Sequence, residues 1–279
     1  MKGERPISGV SDDRPARSAR GRPSRSRTGG GRRGAHPTVE RSDSVNTEML
    51  VERFFEALIS GDRATARALA DEAAARQVSA TSMLSEVYWP TYEMIERLFR
   101  SDQMTTLSHH LATRLLRVLC DQAAMRLTQA PRQNRRVFAV CGPTDADELA
   151  GQIAIDLLEH EGFTVSYAGG GIASDEILAH VQEHKPDTLL LFASAPSDLP
   201  SIRGLIDTIH EIGAVRTLQI VVGGGVFNRA EGLAEEIGAD LWATSPIDLV
   251  RELTQNPDRR ARTNQHTVGR KRRVRAEAA

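Results

Sequence analysis

The strongest constraint on the fold is a series of five short apolar runs that alternate with helical segments in the second half of the chain. The runs span residues 136–141, 163–167, 187–193, 217–222 and 240–243. Two of them contain TLLLFA and LQIVV, which are continuously apolar, as is typical of strands buried on both faces. Repeated β-α units of this spacing predict a flavodoxin-like, doubly wound parallel sheet of five strands over residues 131–255.

Four amphipathic segments precede these runs, each with apolar residues at helical spacing. They span residues 47–60, 62–76, 81–99 and 105–128. Asp62 is placed to cap the second helix, and Pro90 predicts a kink in the third because proline lacks a backbone N–H. Short connections between such helices favour an antiparallel bundle. Residues 46–130 are therefore predicted to form a four-helix cap ahead of the sheet.

The charge of the chain is distributed unevenly. The net charge is −1, but residues 1–41 carry eleven Lys and Arg against four Asp and Glu, and residues 257–279 carry eight against two. The part between them is therefore strongly acidic, with a net charge of −14. Residues 1–45 and 256–279 are predicted to be disordered basic arms, because they cannot bury enough apolar surface to offset their chain entropy. Such arms are either solubilising linkers or arms that contact a protein partner or, nonspecifically, nucleic acid.

Composition and motifs exclude several classes of function. Aromatic residues make up 4% of the chain, which argues against a stacking platform for single-stranded nucleic acid. No apolar run approaches the roughly 18 residues of a membrane span, and the N-terminus lacks the apolar core of a secretory signal, so a cytoplasmic protein is expected. Cys120 and Cys141 are too few for a zinc site or a disulfide framework. No G-x-G-x-x-G pattern opens a predicted helix, and G-x-S-x-G and H-E-x-x-H are missing, so no enzyme is expected.

Glycine-rich and polar loops follow four of the five predicted strands. CGPTDADELAG follows the first strand, AGGGIAS the second, ASAPSDLP the third and GGGVFN the fourth. Open α/β sheets bind ligands at the carboxyl ends of their strands, and glycine lets a backbone come close to a ligand. Four such loops at one edge predict a broad surface for a flat ligand or for a partner.

The order of the parts resembles the cobalamin-binding modules of the methionine-synthase type, in which a four-helix cap precedes a flavodoxin-like Rossmann domain. The resemblance spans about residues 47–255. It rests on HEGFTVSYAGGGI, VVGGGVFN and IGADLWATSPIDLV in the sheet domain and on WPTYEMIERLFRSDQMTTLSHHLATRLL in the cap. Gly169, Gly223 and Gly224 match glycines of the family. The resemblance implies that a cobalamin lies between the cap and the sheet.

One motif of the family is changed in a way that bears on metal binding. The motif D-x-H-x-x-G, whose His binds cobalt from below, aligns on Gly151 and places Glu148 at the His position and Ala146 at the Asp position. A carboxylate is a poorer cobalt ligand than a neutral imidazole. The same stretch also fits a helix cap at Thr144, followed by acidic residues that the helix dipole stabilises. Glu148 is therefore either a ligand-contacting residue or part of a helix start.

The family's cap motif, W-x9-E-H, aligns on His110 and is also altered. Phe99 occupies the Trp position, which implies a smaller ring over the upper face of the ligand, and His109 occupies the Glu position. Either the adjacent histidines point to different sides of a helix, one inward and one into solvent, or one of them faces the pocket. In a haem-sensing variant a cap histidine would bind the iron, so His109 or His110 is the candidate metal ligand and haem the alternative cofactor. Ser194 corresponds loosely to a serine in the family's third loop, or is a turn residue.

Together these parts predict a regulatory protein without catalysis of its own. The chain resembles antirepressors of the AerR/PpaA type, which combine a cap and a cobalamin domain without a DNA-binding fold, so a protein partner such as a transcription regulator is implied. A corrinoid methyl carrier is disfavoured because Glu148 replaces the lower His. A module that has lost its ligand and serves in protein interaction is the remaining alternative. In the regulator, light or a redox change at the ligand would shift a two-state balance between cap and sheet.

Overall fold

The computed structural model describes residues 40–213 and 217–261. Most of the two predicted basic arms, residues 1–39 and 262–279, lies outside the described residues. Within the described part, a helical region precedes a five-stranded, all-parallel sheet with helices packed against it. The predicted fold class is therefore confirmed. None of the helices in these two ranges is both long and apolar enough to cross a membrane.

The helical region follows the predicted amphipathic segments. Helices α1 to α5 span Glu40–Ile59, Arg63–Ala75, Ala80–Ser82, Trp89–Arg100 and Thr106–Ala124, and a π-helical segment, Met83–Tyr88, joins α3 to α4. Asp62 caps α2 by accepting a hydrogen bond from the backbone N–H of Thr65 at 3.0 Å. Thr105 caps α5 in the same way through the backbone N–H of Ser108 at 3.1 Å. These helix starts are set by local side chains, as expected for Asp and Thr at the N-cap position.

At Pro90 the structure has a change of helix type. Pro90 lies in the first turn of α4, directly after the π-helical segment. Because proline has no N–H to donate to the preceding turn, the α-helical hydrogen-bond ladder is interrupted here. The wider π-helical turn still contributes side chains to the hydrophobic core, since its residues Met83, Leu84 and Tyr88 are buried.

The second half of the chain forms the predicted doubly wound sheet. Strands β1 to β5 span Arg136–Cys141, Thr164–Gly170, Thr188–Phe192, Gln219–Gly223 and Leu241–Ala243. Helices α6 to α11 span Asp145–His160, Ser174–His184, Leu199–Ile212, Gly225–Arg229, Leu233–Glu236 and Pro246–Gln255. The strand order is β2-β1-β3-β4-β5, and every neighbouring pair is parallel. Each predicted apolar run overlaps one of these strands.

Helix α6 connects the cap to the sheet because it belongs to two hydrophobic clusters. Its cap-facing residues share one buried cluster with the cap helices: Ala146, Leu149, Ala150, Ile153 and Leu157. Other residues of α6, including Ile155 and Leu158, pack with α11 against the sheet. A third cluster joins α7 and α8 to the strands. The loop between β1 and α6 therefore lies where the cap meets the carboxyl edge of the sheet.

The chain remains in contact with the sheet as far as Ala261, within the region predicted as the C-terminal arm. The backbone N–H of Ala261 donates a hydrogen bond to Asp240 at 2.5 Å. The Arg259 guanidinium carbon lies 5.0 Å from the centroid of the Trp242 ring, a cation–π arrangement. These contacts hold the start of the arm against the edge strand β5.

Candidate functional site

The loop after β1 begins α6 with a side-chain cap. Thr144 Oγ1 accepts a hydrogen bond from the backbone N–H of Asp147 at 3.1 Å, and its hydroxyl donates to the Asp147 carboxylate at 2.6 Å. Three acidic residues, Asp145, Asp147 and Glu148, lie in the first turn of the helix. The helix-start interpretation of this stretch is therefore confirmed, and the partial positive charge at the helix N-terminus stabilises these carboxylates.

Glu148, at the position of the family's lower His, forms an ion pair with the cap. Its carboxylate lies 3.2 Å from Arg117 Nη2 on α5. Asp145 lies 3.2 Å from Arg114 on the same helix. Both pairs join α5 to the first turn of α6 and are partly open to solvent. Exposed ion pairs of this kind contribute about 0–1 kcal/mol each to the free energy of unfolding. Their main effect is therefore to orient α5 relative to α6.

Gly151, the retained motif glycine, makes room for Tyr167. A Cβ at Gly151 would overlap the phenol oxygen of Tyr167 and lie 2.9 Å from its Cζ. That phenol donates a hydrogen bond to the backbone carbonyl of Glu148 at 3.0 Å and also contacts Cys141 Sγ at 3.2 Å. Burial raises the pKa of the Cys141 thiol to about 11, so the thiol stays protonated at neutral pH. Gly169 lies nearby with a positive φ of 75°, facing the Glu148 carboxylate.

A cleft of about 370 Å³ lies between helix α4 of the cap and the carboxyl edge of the sheet. The cap side carries aromatic and charged residues: Trp89, Tyr92, Glu93, Glu96, Arg97 and Arg100. The sheet side carries Ala150, Ser194, Gly224, Gly225, Asn228 and Arg229. The rings of Trp89 and Tyr92 stack with centroids 5.2 Å apart at an angle of 30°. The cleft thus combines a flat aromatic wall with polar groups from the loops that follow β3 and β4.

The loops after β3 and β4 approach each other closely at this cleft. Gly224 has a φ of 103°, and a Cβ at this position would overlap the carbonyl oxygen of Ala193. Only glycine meets both requirements without strain. Gly223 ends β4, and a Cβ there would lie 3.4 Å from the Phe192 ring. Ser194, directly after Ala193, lines the cleft and its carbonyl oxygen accepts a hydrogen bond from Arg229 at 2.6 Å.

The two cap histidines have different surroundings. His109 is 6% exposed, and its Nε2 lies 2.6 Å from Glu96 Oε1. Its ring also stacks on Phe99, with centroids 3.9 Å apart. His110 is exposed. Neither histidine lines the cleft. His109 contacts a residue that does, Glu96. Among the described residues, no group of three or more His, Cys, Asp or Glu side chains is placed to hold a metal ion.

The predicted site residues therefore fall into separate groups. Ser194 and Gly224 line the cleft. Glu148, Gly151 and Gly169 surround Tyr167 and the start of α6. The remaining ones do not line the cleft: Phe99 stacks on His109, His110 is exposed on α5 and Gly223 ends β4.

Sequence reasoning missed ten of the twelve residues that line the cleft, among them Trp89, Tyr92, Arg100 and Arg229. Trp89 and Tyr92 are three residues apart on α4, a spacing that places two aromatic rings on one helix face, so they could have been found. Arg229 follows the glycine-rich loop after β4, but nothing in its local sequence indicates that Arg100 lies nearby.

A flat tetrapyrrole fits the composition of this cleft in part. The stacked rings of Trp89 and Tyr92 offer an apolar wall, and Ser194 and Asn228 offer polar groups at the opposite side. The residue that replaces the lower His does not supply an imidazole, since Glu148 is a carboxylate paired with Arg117. Glu148 itself does not line this cleft.

Comparison with known proteins gives two family matches and a shared fold. The model of the B12 binding domain matches residues 135–251, and a second B12 binding domain model matches residues 50–122. The monomethylamine corrinoid protein of Methanosarcina barkeri aligns over 75% of this chain and 99% of its own, with a TM-score of 0.65 and 15% identity. A cobalamin-binding protein from Desulfitobacterium hafniense DCB-2 aligns over 72% and 96%, at 19% identity and a TM-score of 0.41.

At these identities the solved structures show the shared fold, and the weaker alignment adds nothing to it. No curated protein sequence matches the chain. The two family matches together cover about two thirds of the chain and coincide with the cap and the sheet domain. The chain therefore belongs to the B12-binding domain family, as a cobalamin-binding module with a helical cap and a Rossmann-like domain.

Proposed function

We propose that this protein is a non-catalytic regulator that binds a corrinoid between its cap and the carboxyl edge of its sheet. The observation that carries the proposal is the cleft between α4 and the loops after β3 and β4, with Trp89 and Tyr92 on one side and Ser194 and Gly224 on the other. The aromatic wall would cover the face of the macrocycle, and the close glycine backbone would leave room for its edge.

Ligand binding would change the arrangement of cap and sheet. The cleft measures about 370 Å³, at the low end of the roughly 300–1,000 Å³ of small-molecule pockets, so a whole corrinoid requires the cap to move away from the sheet edge. The Glu148–Arg117 and Asp145–Arg114 pairs join α5 to the start of α6, where cap and sheet share a core, so the movement is expected on the α4 side of the cap. A ligand that binds one arrangement better shifts the balance toward it.

Two grounds support a regulatory role: the chemistry that a bound cobalamin would supply, and the carboxylate of Glu148 at the position of the family's lower His. A bound cobalamin would supply light- and redox-sensitive metal chemistry, while the residues of this chain would hold it and exclude water. Glu148 offers no imidazole, which disfavours repeated cobalt cycling in a methyl carrier. A protein partner, such as a transcription regulator, would read the arrangement of the cap.

The test is a visible absorption spectrum of the purified protein after incubation with hydroxo-, methyl- or adenosylcobalamin in the dark, followed by removal of free ligand. We expect a retained corrin spectrum, and a change on illumination with the two alkyl forms. Haemin is tested in parallel, and a Soret band with haemin alone would move the proposal to haem. A protein that retains neither chromophore would contradict ligand binding and favour an interaction module.

Two variants locate the ligand. Trp89→Ala removes the aromatic wall of the cleft, so we expect corrinoid affinity to fall by about tenfold or more. Trp242→Ala makes the same change at the other tryptophan, which lies outside the cleft, and serves as the matched control. His110→Ala alters an exposed residue that does not line the cleft, so unchanged affinity is expected. Equal affinity in wild type and Trp89→Ala would place the ligand elsewhere.

A further inference from the structure

Two arginines from different parts of the fold meet at one end of the cleft. Arg100 comes from the last turn of α4 in the cap, and Arg229 comes from α9, directly after the glycine-rich loop that follows β4. A Cβ at Gly225 would lie 2.6 Å from Arg229 Nη1 and 3.9 Å from Arg100 Nη1. Both guanidinium groups therefore lie next to Gly225. A side chain at position 225 would occupy the space beside them.

The positive charge at this point is only partly balanced. Arg100 Nη1 lies 3.5 Å from Glu96 Oε2, but the other oxygen of Glu96 is already bound to His109 at 2.6 Å. Arg229 forms no ion pair within the part of the chain that the structure describes; its Nη2 donates to the carbonyl oxygen of Ser194 at 2.6 Å. Three guanidinium groups and two carboxylates line the cleft, so an excess positive charge remains.

Bringing two guanidinium groups together has an energetic cost in the absence of an anion. Burial lowers the pKa of the Arg229 guanidinium and the neighbouring Arg100 lowers it further, while the negative charge of Glu96 opposes both effects. Arginine nevertheless stays protonated in proteins, so both groups carry their charge. The hydrogen bond to the Ser194 carbonyl holds Arg229 in this position and uses only part of its five N–H donors.

We propose that Arg100 and Arg229 together bind an anionic group, a carboxylate or a phosphate, on the ligand that the cleft holds. The planar fork of a guanidinium matches the geometry of both groups, and two forks from opposite walls would bind one anion across the cleft. As far as the ligand is concerned, this assignment rests on the proposed function. It adds that cap and sheet are joined through the ligand's own negative charge.

The first experiment tests the anion site without any corrinoid. Inorganic phosphate is added to the ligand-free full-length protein at constant ionic strength, and the melting temperature is measured. Phosphate should raise the melting temperature of the wild type, because an anion that binds only the folded state stabilises it. Arg229→Gln and Arg100→Gln should lose this increase. Arg76→Gln, at an arginine on the cap that is paired with Glu72 and lies outside the cleft, should keep it.

The second experiment identifies which anion of the ligand is bound. Equilibrium dialysis compares three probes: cobalamin, cobinamide, which lacks the nucleotide and its phosphate, and a cobalamin in which one side-chain amide is hydrolysed to a carboxylate. Recognition of phosphate predicts that cobalamin binds more tightly than cobinamide. Recognition of carboxylate predicts that the acid binds more tightly than cobalamin. In either case Arg229→Gln should remove the preference, by about tenfold or more.

The outcomes separate this assignment from the proposed function. A wild type that binds no corrinoid contradicts the proposed function, and the phosphate experiment then decides the anion site. Equal phosphate effects in wild type and Arg229→Gln, or no effect in either, would overturn the assignment. So would an equal loss of affinity for all three corrinoids in Arg229→Gln, because that pattern indicates a structural role only.

Discussion

At the scale of single residues, Asp156 links the stability of the protein to pH. It is 8% exposed in the middle of α6, and one carboxylate oxygen accepts a hydrogen bond from Gln152 at 2.8 Å. Burial, together with the charges of Glu159 and Asp121, raises the pKa of Asp156 to about 6, against the opposing effect of the hydrogen bond from Gln152. Between about pH 4 and pH 6, Asp156 therefore stays protonated in the folded state, whereas in the unfolded chain, with a pKa of about 3.9, it is ionised. Stability falls as pH rises from about 4 to about 6.

Replacing this carboxyl group should remove the pH effect. Asp156→Asn cannot ionise, so we expect it to be more stable than the wild type by about 1–2 kcal/mol at pH 7, and of equal stability below pH 4. Urea unfolding at both pH values measures the difference. Asp71→Asn, at an exposed position of α2, is the control and should change little at either pH. A loss of stability in Asp156→Asn that is the same at both pH values would show that Asp156 acts through its contacts alone.

The sequence allowed some site residues to be predicted because their roles are local. The cap at Thr144 depends on residues three apart along the chain, so its pattern is visible before folding. The partner of Glu148 is different, since Arg117 lies 31 residues away on another helix. Arg100 and Arg229 are further apart still, and only the packing of α4 on the sheet edge brings them to one cleft. Long-range contacts of this kind leave no local signal.

At the scale of elements, the strands were easier to predict than the third cap helix. Buried parallel strands are continuous apolar runs, so β3 and β4 could be recognised directly. The third helix was expected to be continuous from 81 to 99 with a kink, but the structure contains a π-helical turn at Met83–Tyr88. Pro90 indicates that the α-helical ladder breaks, yet the sequence does not specify how the neighbouring turn compensates.

Two helical glycines should respond oppositely to the same substitution. Gly151→Ala in α6 places a methyl group against Tyr167, so we expect a loss of about 1–3 kcal/mol. Gly204→Ala in α8 meets nothing within 4 Å, so we expect a gain of about 0.5–1 kcal/mol from helix propensity. Chemical denaturation measures both. Tyr167→Phe removes the overlapping oxygen, so it should be less destabilising in the Gly151→Ala background than in the wild type; additive effects would contradict this packing.

At the scale of the whole molecule, cap and sheet domain share a core. The buried cluster of the cap continues into α6 through residues such as Leu149 and Ile153, which are fully buried. The sequence predicts two consecutive domains, because the change near residue 130 from helical segments to alternating strands and helices is visible in it. The contacts between the cap and α6 are not visible in the sequence. A shared core means that the cap cannot unfold without exposing one face of α6. Movement of the cap is then expected at α4 and the cleft, rather than at the interface of α5 with α6.

The two tryptophans allow this shared core to be tested. Trp89 lies in the cap and Trp242 in β5, and they are the two tryptophans of the chain. Trp242→Phe therefore leaves a fluorescence signal from the cap, and Trp89→Phe leaves one from the sheet. We expect both signals to change at the same urea concentration, because a core shared through α6 makes unfolding a single transition.

Leu149→Ala, added to either background, should lower both midpoints together, by the equivalent of about 2–5 kcal/mol, since it opens a cavity where the cap meets α6. Leu107→Ala, at a residue of α5 that is 70% exposed, should leave both midpoints nearly unchanged. If Leu149→Ala shifts the Trp89 signal and leaves the Trp242 signal in place, cap and sheet fold independently. A ligand could then separate them completely. Coincident shifts instead limit the ligand-driven movement to the α4 side of the cleft, where Arg100 and Arg229 face each other.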